Sequence, residues 1–476
     1  MSRLKCTTRV HRANQLQGGS DQKKTIQSRP GRLALSVRLS AHAEVLPKGR
    51  GFYPFFLMRN IIELFTPLRI VSFCLASGFT SAILATYPVQ AFTIRGVDFL
   101  GQSILPTGTT FQGTEVGGLS GITYDPSRNV YYSISDDRSQ INPARFFTLQ
   151  IDLSKGSLKQ GGVTPVGITT LLTDNGQPFA PLSLDAEGIA LTSKGTVFIS
   201  SEGDANQLIN PFVNEFSLAG QQLQTLSVPQ KFLPTANKSS GIRNNLAFES
   251  LTVTPNQNYL FTATENALYQ DGPAATLSNG SPSRILKYDL TTRQPVAEFL
   301  YNTDPVALPP NPADAFNTNG LVDLLALDDS GNHFLALERS FSTGAVGTPG
   351  NTGNTIKLYE VSLEGATDIS SIDSLTTAGS SGITPAKKNL LLNFTDQGIP
   401  TDNIEGLTFG PTLADGRRSL VVVSDNNFSK TQFTQVLAFG LNPESPRSVP
   451  EPSAMAGLTL LTLIGIRVKG RTHGKP

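Results

Sequence analysis

Cysteine and histidine are nearly absent from this chain of 476 residues. Cys6 and Cys74 both precede the segment that we expect to form the mature protein, and His333 is the one histidine within that segment. The mature segment therefore has no disulfide, no cysteine nucleophile and no zinc site built from thiolates or several histidines. A Ser-His-Asp triad would have to be built around His333, whose polar neighbours at 328–332 predict a solvent-facing turn.

Charged residues are also scarce, at 16% of the chain, and they are unevenly distributed. Residues 1–57 contain eleven Lys or Arg and two acids, a net charge of +9, whereas residues 92–450 contain 21 Lys or Arg and 33 acids, a net charge of −12. An acidic body lacks the basic face that a phosphate backbone requires, so we expect no nucleic-acid partner. The 43 glycines and 31 prolines indicate many turns between short strands rather than helical bundles.

The segment 58–91 has the layout of a secretory signal peptide. A basic start precedes an apolar run, and small residues ending at Ala91 come before a cleavage point. A transmembrane anchor is the alternative, but the apolar run of about 16 residues is short for the ~20 that a bilayer requires. The basic, patternless residues 1–57 would then precede the signal. We interpret them as an over-extended gene start with Met58 as the true start, and an organellar transit peptide is the alternative.

Residues 448–476 resemble the PEP-CTERM sorting signal of exported bacterial proteins. The motif Pro450-Glu451-Pro452 is followed by an apolar stretch at 454–466 and by a basic end. The resemblance implies recognition by an exosortase-type sorting enzyme and a transient hold on the membrane, and a chance apolar tail is the alternative. Together with the signal peptide, the tail predicts an exported protein of the cell surface or the extracellular matrix.

Five segments of the body repeat one pattern, a short apolar strand, a polar turn and a β-rich strand that ends in an acid. They are residues 118–137, 185–204, 247–266, 320–339 and 403–427. The pattern is typical of a β-hairpin, and most repeats are followed by one or two further strand-like runs. Four-stranded units repeated in this way predict an all-β fold, a β-propeller over residues 92–447.

The number of blades follows from the number of repeats. We count five blades, and the long spacer at 340–402 leaves room for a degenerate sixth. The fifth unit lacks a fourth strand, whereas the strand-like segment 92–100 precedes the first unit and has no hairpin partner. Because an open propeller would expose an unpaired strand edge, we expect segment 92–100 to complete the last blade.

Hairpin geometry brings acidic residues to one mouth of the central channel. The first strand of a hairpin begins where the second ends, and the first strands of a propeller surround its channel. Twelve acids occupy these positions: Asp136, Asp137, Asp185, Glu187, Glu202, Glu249, Glu265, Asp323, Glu338, Asp402, Glu405 and Asp425. Because like charges at such distances repel, we expect a divalent cation or interleaved arginines to balance them.

Calcium is the ion that best suits such a mouth, since it takes six to eight oxygen ligands and the mouth offers no nitrogen or sulfur donors for zinc or copper. The expected metal ligands are Asp136, Glu202, Glu265, Glu338 and Asp425. The arginines expected to bind substrate are Arg138, Arg339 and Arg284, and Arg145 and Arg243 are further candidates for balancing the charge of the acids. In the alternative interpretation, the acids cap turns and pair with arginines to fix the order of the blades, with no ion.

Short motifs follow one another along the repeats: Gly118–Ile122, Ser135–Arg138, Asp185–Ile189, Ser201–Gly203, Phe248–Leu251, Thr264–Leu268, Leu337–Arg339, Asp402–Leu407 and Ser424–Asn427. In this order they resemble the phytase-like family, which is described as having an esterase-like activity of phytase. The resemblance implies a propeller related to calcium-dependent phytases, in which calcium ions and basic residues hold phosphate and activate a water. Lysine is scarce near these motifs, which argues against phytate itself as the substrate.

Three functions remain open from the sequence. The first is a calcium-dependent hydrolase of phosphate or carboxylic esters, with Glu187, Glu249 or Glu405 as general base and a small anionic ester as the substrate. The second is a non-catalytic surface or matrix protein whose propeller binds an extracellular glycan. The third is a hydrolase similar to sugar lactonases, which share an acidic channel. A serine nucleophile lacks the GxSxG elbow that would support it, and the sequence does not indicate an oligomeric state.

Overall fold

The computed structural model describes residues 94–379 and 381–443. The expectations for residues 1–57, 58–91 and 448–476 fall outside these described residues. Within them the protein is almost entirely β-structure, arranged as five four-stranded antiparallel sheets and one short hairpin. No helix of the described ranges is long and apolar enough to cross a membrane.

The strands follow one another blade by blade along the chain. Strand β1 (Ile94–Leu105) comes first and is followed by the short hairpin of β2 (Thr110–Phe111) and β3 (Thr114–Glu115). Blade 1 contains β4 (Leu119–Asp125), β5 (Val130–Ser135), β6 (Arg145–Ile151) and β7 (Val163–Thr170). Blade 2 contains β8 (Ala186–Leu191), β9 (Thr196–Ser201), β10 (Phe212–Ser217) and β11 (Gln222–Thr225). Blade 3 contains β12 (Phe248–Val253), β13 (Tyr259–Thr264), β14 (Pro282–Asp289) and β15 (Gln294–Asn302).

The last two blades are built from longer strands. Blade 4 contains β16 (Asn317–Ala326), β17 (His333–Ser342), β18 (Asn354–Ser362) and β19 (Lys387–Asn393). Blade 5 contains β20 (Asn403–Thr412), β21 (Arg418–Asp425) and β22 (Thr434–Pro443). The helical elements are one turn of α-helix, α1 (Leu375–Ala378), and three 3₁₀ turns at Gln230–Phe232, Pro349–Asn351 and Phe394–Gln397.

Strand β1 closes the propeller. It pairs antiparallel with β22, so that blade 5 has the strand order β20-β21-β22-β1. The predicted five-bladed propeller and its closure by an N-terminal strand are therefore confirmed. In the described part of the spacer 340–402, the chain forms β18, β19 and short turns, and it adds no sixth sheet.

The hydrophobic core lies between neighbouring blades, because each sheet is buried on both faces. In β21, Leu420 and Val422 pack with blade 4, whereas Val421 and Val423 pack with blade 1. This alternation follows from the two-residue period of a strand. Each such fully buried side chain stabilises the fold by about 1.5–3 kcal/mol.

The inner strands β4, β8, β12, β16 and β20 contact one another in cyclic order around the channel. Their close approach explains why small residues occupy one repeat position. A Cβ atom added at Gly121 would lie 2.5 Å from the carbonyl oxygen of Glu187, and one added at Gly188 would lie 2.9 Å from that of Glu249. Glycine therefore lets the backbones of adjacent blades meet at the level of the channel mouth.

Candidate functional site

Each inner strand contains an irregularity at the same repeat position. In β12, Phe248 pairs with Thr264 and Ser250 with Ala263, which leaves Glu249 between them without a cross-strand partner. The equivalent residues of the other blades are Ser120, Glu187, Val322 and Glu405. Because a bulge redirects the extra side chain, the irregularity brings three glutamates to the channel mouth.

The residues that end the second strands form a neighbouring ring. The backbone N–H groups of Asp136, Glu202 and Glu265 each donate to the residue that opens the hairpin, at 2.7–2.9 Å. The pairing of β16–β17 and β20–β21 places Arg339 and Asp425 at the same position in blades 4 and 5. Four acids and one arginine thus occupy equivalent places in the five blades.

Eight acids from blades 1, 2, 3 and 5 converge here, and we call them the carboxylate cluster. They are Asp136, Asp185, Glu187, Glu202, Glu249, Glu265, Glu405 and Asp425, linked by mutual electrostatic interactions. Two groups within the cluster are compact enough for a metal ion: Asp185, Glu187 and Glu202 form the first triad, and Glu202, Glu249 and Glu265 form the second. In each triad, one ligand oxygen per residue lies within 4.8 Å of the others, and Glu202 belongs to both.

Burial makes the ionised form of these carboxyl groups unfavourable. It raises the pKa of Asp185 and of Glu265 to about 7 and that of Asp136 to about 8, with repulsion between neighbouring acids adding to the effect. The pKa values of Glu202 and Glu249 also lie well above the ordinary range for the same reasons. A divalent cation would favour the ionised forms, because an opposite charge within a few ångströms offsets desolvation.

Several oxygens of the cluster have no donor among the described residues. Asp136 Oδ1, Glu202 Oε2 and Glu265 Oε1 are buried and accept no hydrogen bond there, whereas the other oxygen of Glu202 accepts a short one from the Ala247 backbone N–H. Buried acceptors without a partner are rare and destabilising in folded proteins. These acceptors lie within the one acidic cluster whose triads could hold a metal ion.

Two arginines border the cluster. Arg339 Nη2 lies 3.0 Å from Glu405 Oε1 and 3.6 Å from Glu265 Oε1, and its Nε has no acceptor among the described residues. Arg138 lies at the other side, with Nε 3.5 Å from Asp185 Oδ2 and Nη2 2.9 Å from Asp204. When all eight carboxyl groups of the cluster are ionised, their negative charge exceeds the positive charge of the two guanidinium groups. A further cation would reduce the repulsion between them.

A cavity of about 740 Å³ opens over blades 4 and 5, and we call it the mouth cavity. Glu265 and Glu405 of the cluster contribute to its wall together with Arg339, and residues of strands and loops supply the rest. Its volume falls in the range typical of small-molecule sites, about 300–1,000 Å³. The triads come from blades 2 and 3, so candidate metal ligands and the mouth cavity lie side by side.

Asp323, another of the twelve predicted mouth acids, binds backbone N–H groups of the inner strands. It lies in β16 at the repeat position where blades 1, 2 and 5 have glycine. Its carboxylate accepts hydrogen bonds from the backbone N–H groups of Leu324 and Leu407, both at 2.8 Å, and of Leu251 at 3.4 Å. Asp323 thereby ties the inner strands of blades 3, 4 and 5 together, close to the irregularities that present Glu249 and Glu405.

Glu338, which the sequence suggested as a metal ligand, lies outside the cluster. The register pairs Glu338 with Leu321 and Arg339 with Gly320, so that Arg339 occupies the ring position. Because side chains alternate along a strand, Glu338 faces the opposite side. There it forms an ion pair with Lys388 and accepts a hydrogen bond from the Tyr301 hydroxyl.

Arg284 is likewise not brought to the mouth. It is fully buried in blade 3, where Nε lies 2.6 Å from Asp271 and Nη1 lies 2.7 Å from Glu298. The guanidinium group of Arg284 is therefore paired with acids of its own blade. Unlike Arg138 and Arg339, Arg284 does not reach the cluster. The prediction that Arg284 lies at the mouth was based on its closeness in sequence to the third repeat. Arg284 lies in β14, which is one strand further from the channel than β13.

Two more of the twelve acids have structural partners. Asp137 pairs with buried Arg145 at 2.7 Å, as the interpretation without an ion expected for all of the acids. Asp402 accepts hydrogen bonds from the backbone N–H of Phe433, at 2.6 Å, and from the side chain of Gln432. Both acids hold loops at the mouth in place.

The sequence did not indicate several residues of the mouth cavity. Phe316 and Gln432 line it from segments between strands, and Asn354 lines it from the first position of β18; no repeat pattern marks these positions. Asp185 was recognised as a mouth acid without a role, and the structure places it in the first triad. Its position one residue before β8, at the first residue of the repeat segment 185–204, was the available signal.

Comparisons with known proteins agree with this architecture. The profile of the family described as "Phytase-like: Esterase-like activity of phytase" matches residues 114–428. An "Uncharacterized secreted protein" of Arthroderma benhamiae is 25% identical over 192 residues, which cover 34% of this chain and 35% of that protein. The chain thus matches about a third of the length of that curated relative.

Solved structures give more distant likenesses. A Dos1 propeller is 9% identical, with 73% of this chain and 93% of that chain covered and a TM-score of 0.30. The periplasmic gluconolactonase of Pseudomonas aeruginosa is 11% identical, with 70% and 89% covered and a TM-score of 0.29. The GH62 α-L-arabinofuranosidase domain of Coprinopsis cinerea is 8% identical, with 73% and 98% covered and a TM-score of 0.37. Likenesses at these scores carry no argument about activity.

Proposed function

Because this chain belongs to the phytase-like family, we propose that it is a calcium-dependent hydrolase of phosphate or carboxylic esters. The reaction would take place where the carboxylate cluster meets the mouth cavity. The observation that carries the proposal is the pair of buried triads that share Glu202, together with the unpartnered oxygens of Glu202 and Glu265.

The donor set of the triads fits calcium. All five residues offer carboxylate oxygens, which are hard ligands, and the triads include no nitrogen or sulfur donor. Of the residues expected to bind metal, Glu202 and Glu265 belong to the triads, and Asp136 and Asp425 lie in the same cluster. Asp185, Glu187 and Glu249 complete the triads, which favours a ligand role for the two glutamates over the catalytic role that the sequence suggested.

Glu405 is the best candidate for the general base. It lies outside both triads, lines the mouth cavity and is held by Arg339 Nη2 at 3.0 Å and Asn403 Nδ2 at 2.8 Å. Burial raises its pKa above the ordinary value although Arg339 acts in the opposite direction. A raised pKa suits a carboxylate that takes a proton from an attacking water near neutral pH.

Arg339 would orient the substrate. Its guanidinium lines the mouth cavity and retains an unpartnered Nε donor, which can bind the anionic or carbonyl oxygen of an ester. Calcium bound at the triads would supply Lewis-acid polarisation of an ester or phosphoryl oxygen. Water, base and electrophile would then meet at the border between blades 3, 4 and 5.

The test measures hydrolysis of 4-nitrophenyl phosphate and 4-nitrophenyl acetate by the purified protein, with calcium or with EDTA. Glu405→Gln should lower kcat at least a hundredfold and keep the calcium-induced rise in Tm, whereas Glu202→Gln should lower both. Asp373→Asn, a change at a side chain that is 92% exposed, is the control. Turnover that persists in EDTA, or in Glu405→Gln, would contradict the proposal.

The export of the protein is part of the proposal. The Arthroderma relative is named a secreted protein, and the signal-like and sorting-like ends of this chain agree with export to the cell surface or extracellular matrix. An exosortase-type enzyme would be the partner of the tail. Detecting the protein in the envelope or medium, and its loss from there when residues 450–452 are changed to alanine, is the measurement that checks this.

A further inference from the structure

We infer that the mouth cavity binds a hydroxyl-rich, sugar-like ester with at most one anionic group, and that inositol polyphosphates are not its substrates. The inference rests on the proposed hydrolase function and narrows its substrate class. It derives from the chemistry of the cavity wall, which differs from that of the carboxylate cluster beside it.

The charge of the wall disfavours a polyanion. Among the described residues that line the cavity, Arg339 is the one cation, and it stands against Glu265, Asp402 and Glu405. Two calcium ions at the triads would carry four positive charges, and the five triad carboxylates would carry five negative charges when ionised. No excess of positive charge is left to attract several phosphates, so a ligand with one anionic group matches the wall better.

The polar groups of the wall are mostly carboxamides. They are Asn245, Asn351, Asn354, Asn403, Asn427 and Gln432. Each carboxamide carries both a donor and an acceptor, as does a hydroxyl group, so a wall rich in carboxamides is complementary to a ligand with several hydroxyls. The amide nitrogens of Asn403 and Gln432 already donate to Glu405 and Asp402, so the side-chain oxygens of these two residues are acceptors that suit a hydroxyl donor and not a phosphate or carboxylate oxygen.

Backbone conformation explains three of the wall asparagines, whereas it does not explain Asn354. Asn245, Asn351 and Asn427 have positive φ, which favours asparagine in turns. Asn354 opens strand β18, is 2% exposed, and its Oδ1 has no donor among the described residues. Arg339, whose Nε likewise has no partner among the described residues, lines the same cavity as Asn354.

The rim of the cavity adds an apolar surface. Phe316 is 65% exposed, and its ring centroid lies 6.2 Å from that of Phe341, which also lines the cavity. An aromatic ring that is left open beside a polar wall gives an apolar platform for the C–H face of a sugar ring. Donors, acceptors and an aromatic face together match an amphipathic ring better than a compact polyanion.

The test uses three probes with the purified protein at one fixed concentration of free calcium: D-gluconate, propionate and inositol hexakisphosphate. Titration calorimetry should find gluconate bound at least tenfold more tightly than propionate, which has the carboxylate without the hydroxyls. Phe316→Ala should weaken gluconate binding about fivefold to tenfold, whereas Leu390→Ala, an exposed apolar residue of β19, should leave it unchanged. Saturation-transfer NMR should place the gluconate C–H protons close to aromatic protons.

The inference is overturned if inositol hexakisphosphate binds more tightly than gluconate, or if gluconate and propionate bind equally. It is also overturned if Phe316→Ala has no effect on gluconate affinity. The calcium-induced rise in Tm and the hydrolysis of 4-nitrophenyl esters are measured on the same samples. If the protein binds gluconate but shows neither the calcium-induced rise in Tm nor hydrolysis of the esters, the proposed hydrolase function is wrong and the sugar-binding cavity stands. Failure of the proposed function can therefore be distinguished from failure of the inference.

Discussion

Removal of divalent cations should make the free energy of unfolding fall as the pH rises. In the fold without metal, burial raises the pKa of Asp185 and of Glu265 to about 7, whereas in an unfolded chain these groups titrate near pH ~4. A carboxyl group whose pKa is higher in the folded state stabilises the fold fully below its unfolded pKa, and this contribution is lost as the pH rises through the folded pKa. The loss should therefore extend from about pH 4 to about pH 7.

The size of this loss in the free energy of unfolding follows from Asp185 and Glu265. Asp185 is 5% exposed and Glu265 is 1% exposed, so solvent screens them little. For Asp185, the difference between its unfolded and folded pKa corresponds to about 4 kcal/mol. The contribution of Glu265 is similar, but the two belong to one cluster and do not add independently. A loss of about 4 kcal/mol lowers the Tm of a domain of this size by roughly 5 °C.

Calorimetric melting at pH 5, 6, 7 and 8, with EDTA and with millimolar calcium, measures this effect. Calcium binds the ionised carboxylates, so the difference in Tm between the two conditions should grow as the pH rises. Glu265→Gln should flatten the profile in EDTA, whereas Asp373→Asn, at the exposed side chain used above, should not. A Tm that rises with pH in EDTA, or equal profiles in both conditions, would refute the reasoning.

Three further changes test other parts of the site. Glu202→Gln should weaken calcium binding at least tenfold more than Glu187→Gln, measured by titration calorimetry, because Glu202 belongs to both triads. Asp323→Asn should lower the free energy of unfolding in urea by about 1–3 kcal/mol, because its amide turns one of the two oxygens that accept backbone N–H groups into a donor. Gly188→Ala should cost about 1–3 kcal/mol in the same assay, since the new Cβ would lie 2.6 Å from a side-chain carbon of the next inner strand. Gly96→Ala, with its nearest atom at 3.8 Å, is the control and should change stability by less than about 0.5 kcal/mol.

The repeats predicted the fold because each hairpin has a local signature. The continuous apolar run of segments such as Leu420–Val423 follows from burial of both faces of a blade, and the polar turns mark where strands end. Closure by β1 was predictable as well, because a lone strand and an incomplete blade require each other. The hairpins could be predicted because they depend on residues that are neighbours along the chain. The closure by β1 could be predicted because exposed strand edges are unfavourable.

The site was predicted less completely, because it depends on register and on loops. The apparent match of Glu338 to the acids of other repeats was wrong by one residue, and a shift of one residue moves a side chain to the opposite face. The irregularities in the inner strands change which residues face the channel, and the sequence pattern did not mark them. Part of the wall of the mouth cavity comes from segments between strands, such as the one that carries Phe316, and no periodic signal identifies such residues.

The departure of blade 4 from the repeat explains why the site has two halves. Where the other blades offer an acid, blade 4 has Arg339, and where blades 2, 3 and 5 have a glutamate in the irregularity, it has Val322. A ring with an acid from every blade would repel any anionic group at every point of the mouth. In our proposal, Arg339 leaves the triads of blades 2 and 3 with the negative potential that a cation would require, and lets the cavity over blades 4 and 5 accept one anionic group. Arg339→Glu should therefore abolish binding of gluconate while calcium still raises the Tm, and an unchanged affinity for gluconate would show that this asymmetry has no role in recognition.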